Sequence, residues 1–121
     1  MIIIKKIEWL SKEAEEAEVY LSDGSYNIIA FSHPFNQKVG EAISLPLYTL
    51  NVKDIYRSDK KESLIQKIGE TFEYKLIGNV INKEKSHIKI GDFIIELDSI
   101  LPNDISENEF VSFVCDRLDI Y

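Results

Sequence analysis

Apolar and polar residues alternate with a period of two along most of this chain, the pattern of strands that bury one face. Over residues 2–10, Ile3, Ile7 and Trp9 fall on one set and Lys6 and Glu8 on the other, which predicts a first strand. Residues 12–18 then carry Glu13, Glu15, Glu16 and Glu18 among good helix formers. The segment is too short for a stable helix and reads as an acidic connection with at most one helical turn. Asp23-Gly24 follows, between Val19-Tyr20-Leu21 and an apolar run over 26–31. Asp-Gly supplies the positive φ angles of a tight turn, so these flanks form a hairpin, and Pro34 closes its second strand because proline has no amide hydrogen to donate.

An extended run over 42–56 comes next, its apolar set changing parity between Pro46 and Thr49, where a bulge or bend is expected. Near residues 60–69 the period changes. Leu64, Ile65 and Ile68 sit at helical spacing among lysines and glutamates, with Gly69 as a stop, which predicts one short helix. Residues 72–81 and 86–97 form a second pair of strands about a charged loop, with Phe93, Ile95 and Leu97 on one face. A last strand over 110–120 has apolar residues on both sets, as in a strand covered on both faces.

The expected fold is therefore mainly β: an antiparallel meander of about seven strands in a small barrel or sandwich, compatible with an OB-like barrel, with the helix near 60–69. It is read as a single domain over 1–121. A second reading, two similar β halves over 1–57 and 72–121, rests on Asp54-Ile55-Tyr56 and Asp119-Ile120-Tyr121 closing each half.

Composition narrows the function more than the fold. The chain has 121 residues, 45% of them hydrophobic, enough for one self-sufficient core without disulfide or metal. Its formal charge of −7 disfavours nucleic acid and favours a basic protein partner, because charge complementarity steers association. The apolar start at Ile2-Ile3-Ile4 is too short for a leader peptide or a spanning segment, so no membrane partner is expected and the cytoplasm is the expected compartment. Cys115 is the only cysteine, which fits a reducing compartment and leaves no multi-thiolate metal site.

Sequence-local chemistry is sparse. The five glycines are scattered singly, so no phosphate-binding loop is present, and no G-x-S-x-G elbow occurs. His33 and His87 would act as a general acid–base pair only if the fold brought them together. Asp92, Glu96 and Asp98, and then Asp104, Glu107 and Glu109, offer oxygen ligands without the spacing of a calcium loop. No catalytic residue, metal or cofactor is therefore expected. Cys115, among apolar neighbours, reads as a buried inert thiol.

What remains is recognition. Glu13, Glu15, Glu16, Glu18 and Asp23 are the candidate partner-binding residues, with Trp9, the only tryptophan, as an aromatic anchor beside them. The expected function is a non-enzymatic acidic protein-binding domain of the bacterial cytoplasm, an immunity or antitoxin-type protein that neutralises a basic toxin or nuclease. Two alternatives stand beside it: an OB-like module binding nucleic acid or another oligomer through Tyr20, Tyr26 and Phe31, and a small His-dependent hydrolase.

Overall fold

At Asp23-Gly24 the local chemistry and the fold agree. Gly24 has φ +97°, the Asp23 carboxylate accepts the Ser25 and Tyr26 amide hydrogens, and the two flanking strands pair antiparallel from Ser22 opposite Asn27 to Ala17 opposite Ser32. The computed structural model describes residues 1–121. Its first strands are β1 (Ile3–Ser11), β2 (Glu16–Ser22) and β3 (Asn27–Ser32). The middle of the chain forms β4 (Leu47–Leu50), β5 (Lys53–Arg57), β6 (Leu64–Lys67) and β7 (Tyr74–Asn82). The remainder forms β8 (His87–Ile90), β9 (Phe93–Glu96), β10 (Phe110–Cys115) and β11 (Arg117–Ile120).

The strands make one mixed sheet in the order β1-β2-β3-β11-β4-β9-β8-β7-β10-β5, with β6 also paired to β7. The path ends at β1 and at β5, so the sheet stays open where a small barrel or sandwich was expected. It is also not a meander. β11 lies between β3 and β4, parallel to β3, and β4 runs parallel to β9. A single cluster of 25 buried residues draws on both ends of this path, from Ile4 on β1 to Val111 and Phe113 on β10. A sheet burying one continuous core in this way has to curl around it.

The helix expected near 60–69 is absent; Leu64–Lys67 is strand β6, with Leu64 opposite Ile77 and Ile65 opposite Leu76. An isolated helix of that length is marginal, and pairing with β7 supplies hydrogen bonds and apolar neighbours that a lone turn lacks. Three runs read as single strands are each broken in two, which raises the strand count. Asn51 (φ 56°) separates β4 from β5, Gly91 (φ 56°) turns β8 into β9, and Asp116 divides β10 from β11, donating its amide hydrogen to the Leu50 carbonyl. The change of side expected near residues 46–49 does not occur, since Leu47 and Thr49 stay buried with Tyr48 and Leu50 turned outward, and the chain turns only at Asn51.

One irregularity matters for the surface. The β1–β2 register slips between Ile4 and Lys6, so Ile4 opposes Leu21 while Ile7 opposes Val19. The extra residue, Lys5, puts Ile4 rather than Ile3 on the core face with Ile7 and corrects the expected alternation. A second slip lies between Trp9 and Ser11. Bulges of this kind blunt the outer edge of an edge strand against pairing with other chains.

Candidate functional site

Alternation along β2 buries Ala17, Val19 and Leu21 and turns Glu16, Glu18 and Tyr20 to the outer face. The register then lines up a row of outer-face side chains across seven strands. Glu8 opposes Glu18, Glu18 opposes Phe31, Phe31 lies beside Asp119, Asp119 opposes Tyr48, Tyr48 lies beside Glu96, and Glu96 opposes His87. Side chains opposite each other on neighbouring strands share a face, so these residues form one lateral band.

Most of the band is internally paired. Arg117 clasps Asp119 through Nε at 2.6 Å and Nη2 at 3.2 Å, while its guanidinium lies 4.1 Å from the Phe31 ring centroid. Tyr48 packs edge-on against Tyr121 with ring centroids 4.7 Å apart. His87 Nε2 lies 2.8 Å from Glu96 Oε1.

The β1–β2 end differs. Glu8 and Glu18 are like charges placed directly opposite, an arrangement that destabilises a sheet. Burial pushes the Glu18 carboxyl above its ordinary pKa, and the Glu8 carboxylate adds to the shift by hydrogen bonding and charge, against smaller relief from Lys67 and Lys6. Lys6 Nζ, 2.7 Å from Glu8, holds Glu8 low instead. Glu18 thus stands between Glu8, which raises its pKa, and Lys67 and Lys6, which only partly offset the effect.

Glu13 and Glu15 stand exposed in the β1–β2 turn, next to Glu16 at the start of β2. The Glu15 carbonyl accepts the Phe35 amide hydrogen at 2.8 Å, which brings the chain after β3 against Trp9. The Trp9 and Phe35 rings lie 6.0 Å apart, and Trp9 remains 37% exposed beside the exposed Leu10. Trp9 and Phe35, with Lys12, Glu15 and Lys38, line a groove of about 400 Å³. Of the acidic run, Glu15 lines this groove with Trp9, whereas Glu18, opposite Glu8, faces away from Trp9, which opposes the buried Ala17. Asp23 lies at the opposite end of β2, and its carboxylate is occupied by the amides of Ser25, Tyr26 and Asp92.

The other singled-out residues are dispersed. His33 is exposed after β3, whereas His87 opens β8, with β11, β4 and β9 between their strands. Cys115 is fully buried, and that burial pushes its thiol up to about 12. Asp98 accepts hydrogen bonds from the Thr49 hydroxyl and the amides of Asn51 and Val52, which pins the β4–β5 turn. Glu107 accepts the Lys83 amide hydrogen, and Glu109 accepts that of Ser106 and pairs with Arg57. No cluster of three or more potential metal ligands forms.

Sequence reading missed Glu8 and the Arg117–Asp119 clasp, whose partners are set by strand pairing. It also missed a cleft of about 390 Å³ where β6 and β7 approach β1–β3, lined by Lys5, Lys6 and Lys67 with Tyr20 and Tyr74. The chain has no helix long and apolar enough to cross a membrane. Comparison with family models, curated proteins and solved structures finds no match, so the reading of these surfaces rests on their own chemistry.

Proposed function

We propose that this chain is a non-enzymatic protein-binding domain that holds a basic protein, as an immunity or antitoxin-type protein holds a toxin or nuclease in the bacterial cytoplasm. The observation that carries the reading is the outward-facing Glu8–Glu18 pair. A cationic side chain docked there would relieve the like-charge repulsion, so partner binding gains what folding leaves unsatisfied. Leu10 and, on the reverse face of β1, Trp9 supply exposed apolar contact at the same end of the sheet, and Glu13, Glu15 and Glu16 supply steering.

The oligomer-binding alternative has less to draw on. Base stacking needs free aromatic faces, yet Arg117 covers Phe31, Lys6 Nζ sits 4.9 Å from the Tyr20 centroid, and Tyr26 packs on the core. A hydrolase using His33 and His87 would need them on one substrate, with three strands between them.

Cross-linking in the native host, followed by association kinetics with the captured protein, tests the proposal. Glu15→Lys with Glu16→Lys should slow association about tenfold at low salt, and the difference should shrink as salt rises. Trp9→Ala should mainly accelerate dissociation. A captured partner that is not basic, or rates indifferent to the charge reversals, would refute the proposal.

A further inference from the structure

Next to the Glu8–Glu18 pair, on the same outer face, the charge reverses. Among the residues lining the cleft between β1–β3 and β6–β7 are three lysines and no carboxylate, in a chain with 21 acidic residues against 14 basic ones. The bulge in β1 makes this possible. Consecutive residues of a regular strand point to opposite faces, but the slip between Ile4 and Lys6 lets both Lys5 and Lys6 line one cavity. Lys67 on β6 adds the third ammonium from across the cleft. Lys6 is neutralised by Glu8, whereas Lys5 and Lys67 take part in none of the chain's salt bridges, Lys67 interacting with Glu18 only at longer range.

A second observation lies at the floor. Tyr74 is 3% exposed, and its hydroxyl accepts the Ile29 amide hydrogen at 2.8 Å, in the stretch of β3 that β11 does not reach. The hydroxyl's own proton has no acceptor among the chain's hydrogen bonds and remains available to a ligand oxygen. Ile29, Ile65 and the Tyr20 ring form the apolar wall beside it. A concave site of this volume, mostly apolar with a few convergent polar groups, is the usual form of a small-molecule site.

We infer that this cleft binds a small organic anion: an acidic head group, carboxylate or phosphate monoester, held by Lys5, Lys67 and the Tyr74 hydroxyl, on a short apolar body lying against Ile29, Ile65 and Tyr20. This site does not depend on the protein-binding reading, since it uses different side chains and a different class of ligand.

Titration of the full chain with octanoate, octyl phosphate, 1-octanol and octylammonium, followed by amide chemical shifts in NMR, tests the inference. Either acid should bind with shifts centred on Asn27, Ile29 and Lys67, and the tighter of the two identifies the head group. The alcohol should bind at least about tenfold more weakly than that acid, since charged hydrogen bonds are lost. Lys5→Gln with Lys67→Gln, both exposed and tolerable to the fold, should weaken the acid about tenfold and leave the alcohol unchanged. The inference is overturned by equal binding of acid and alcohol, by preference for octylammonium, by shifts centred elsewhere, or by no acid binding in the millimolar range.

Discussion

The Asp23 carboxylate accepts the Asp92 amide hydrogen at 2.9 Å, joining the β2–β3 turn to the β8–β9 turn across 69 positions of sequence. The same carboxylate takes the Ser25 and Tyr26 amides, so it organises one hairpin and fastens it to another. Asp23→Ala should destabilise the chain by about 2–4 kcal/mol, since several charge-assisted bonds are lost together. Urea unfolding measures this, and a change below about 0.5 kcal/mol would show that the bridge carries little.

The same bridge predicts a pH dependence. Burial alone would raise the Asp23 pKa, but the amides of Asp92, Tyr26 and Ser25 together outweigh it and hold the carboxyl below its ordinary value. A depressed folded-state pKa contributes stability that is present above the unfolded value, near pH 4, and is lost as pH falls through the folded one. Asp23→Asn should therefore be least stable relative to wild type at neutral pH, and the gap should narrow in acid. A gap constant from pH 7 to pH 2 would contradict the assignment.

Gly91 sits directly beneath this bridge with φ +56°. A Cβ there would collide with the Asp23 carboxylate and approach Tyr26 Cδ2 to 2.7 Å, and the left-handed backbone adds its own strain. Gly91→Ala should destabilise by about 1–3 kcal/mol, read as a lowered thermal midpoint. In an Asp23→Ala background the penalty should shrink, because the colliding oxygen is gone.

Glu18→Gln should act in the opposite direction. Its raised pKa means that ionisation in the folded state opposes stability, so the penalty is absent below the unfolded value, near pH 4.3, and appears as pH rises through the folded value. The variant should be more stable than wild type by about 0.2–1 kcal/mol at pH 7, with no gain below pH 4. Denaturation at the two pH values distinguishes this from a general surface effect, which would not depend on pH.

Phe93 is fully buried on β9, facing the core with Ile95 and Leu97. Phe93→Ala should cost about 3–5 kcal/mol in chemical denaturation. A nearly neutral result would mean that the curled sheet closes around the void.

What the sequence by itself determined is local. The Asp23-Gly24 hairpin follows from the positive φ open to Gly24 and the turn-closing carboxylate of Asp23, and the burial of Phe93, Ile95 and Leu97 follows from a period that any half-buried strand must keep. Cys115 was legible in the same way, from apolar neighbours at alternate positions. The tertiary structure decided whatever depends on which strands meet. Residues 64–67 have helical spacing, yet pairing with β7 makes them a strand, because long-range hydrogen bonds outweigh a short helix's own. β11 inserts beside β3 rather than next to β10, so Asp119 meets Phe31 and Tyr48, partners far away in sequence. Glu15 shares a groove with Trp9, because the turn that carries it joins β1 to β2. Glu8 opposite Glu18, Asp23 against Asp92, and Lys5 across a cleft from Lys67 come from register, a bulge and sheet curvature, which arise between segments and leave no mark on any one of them.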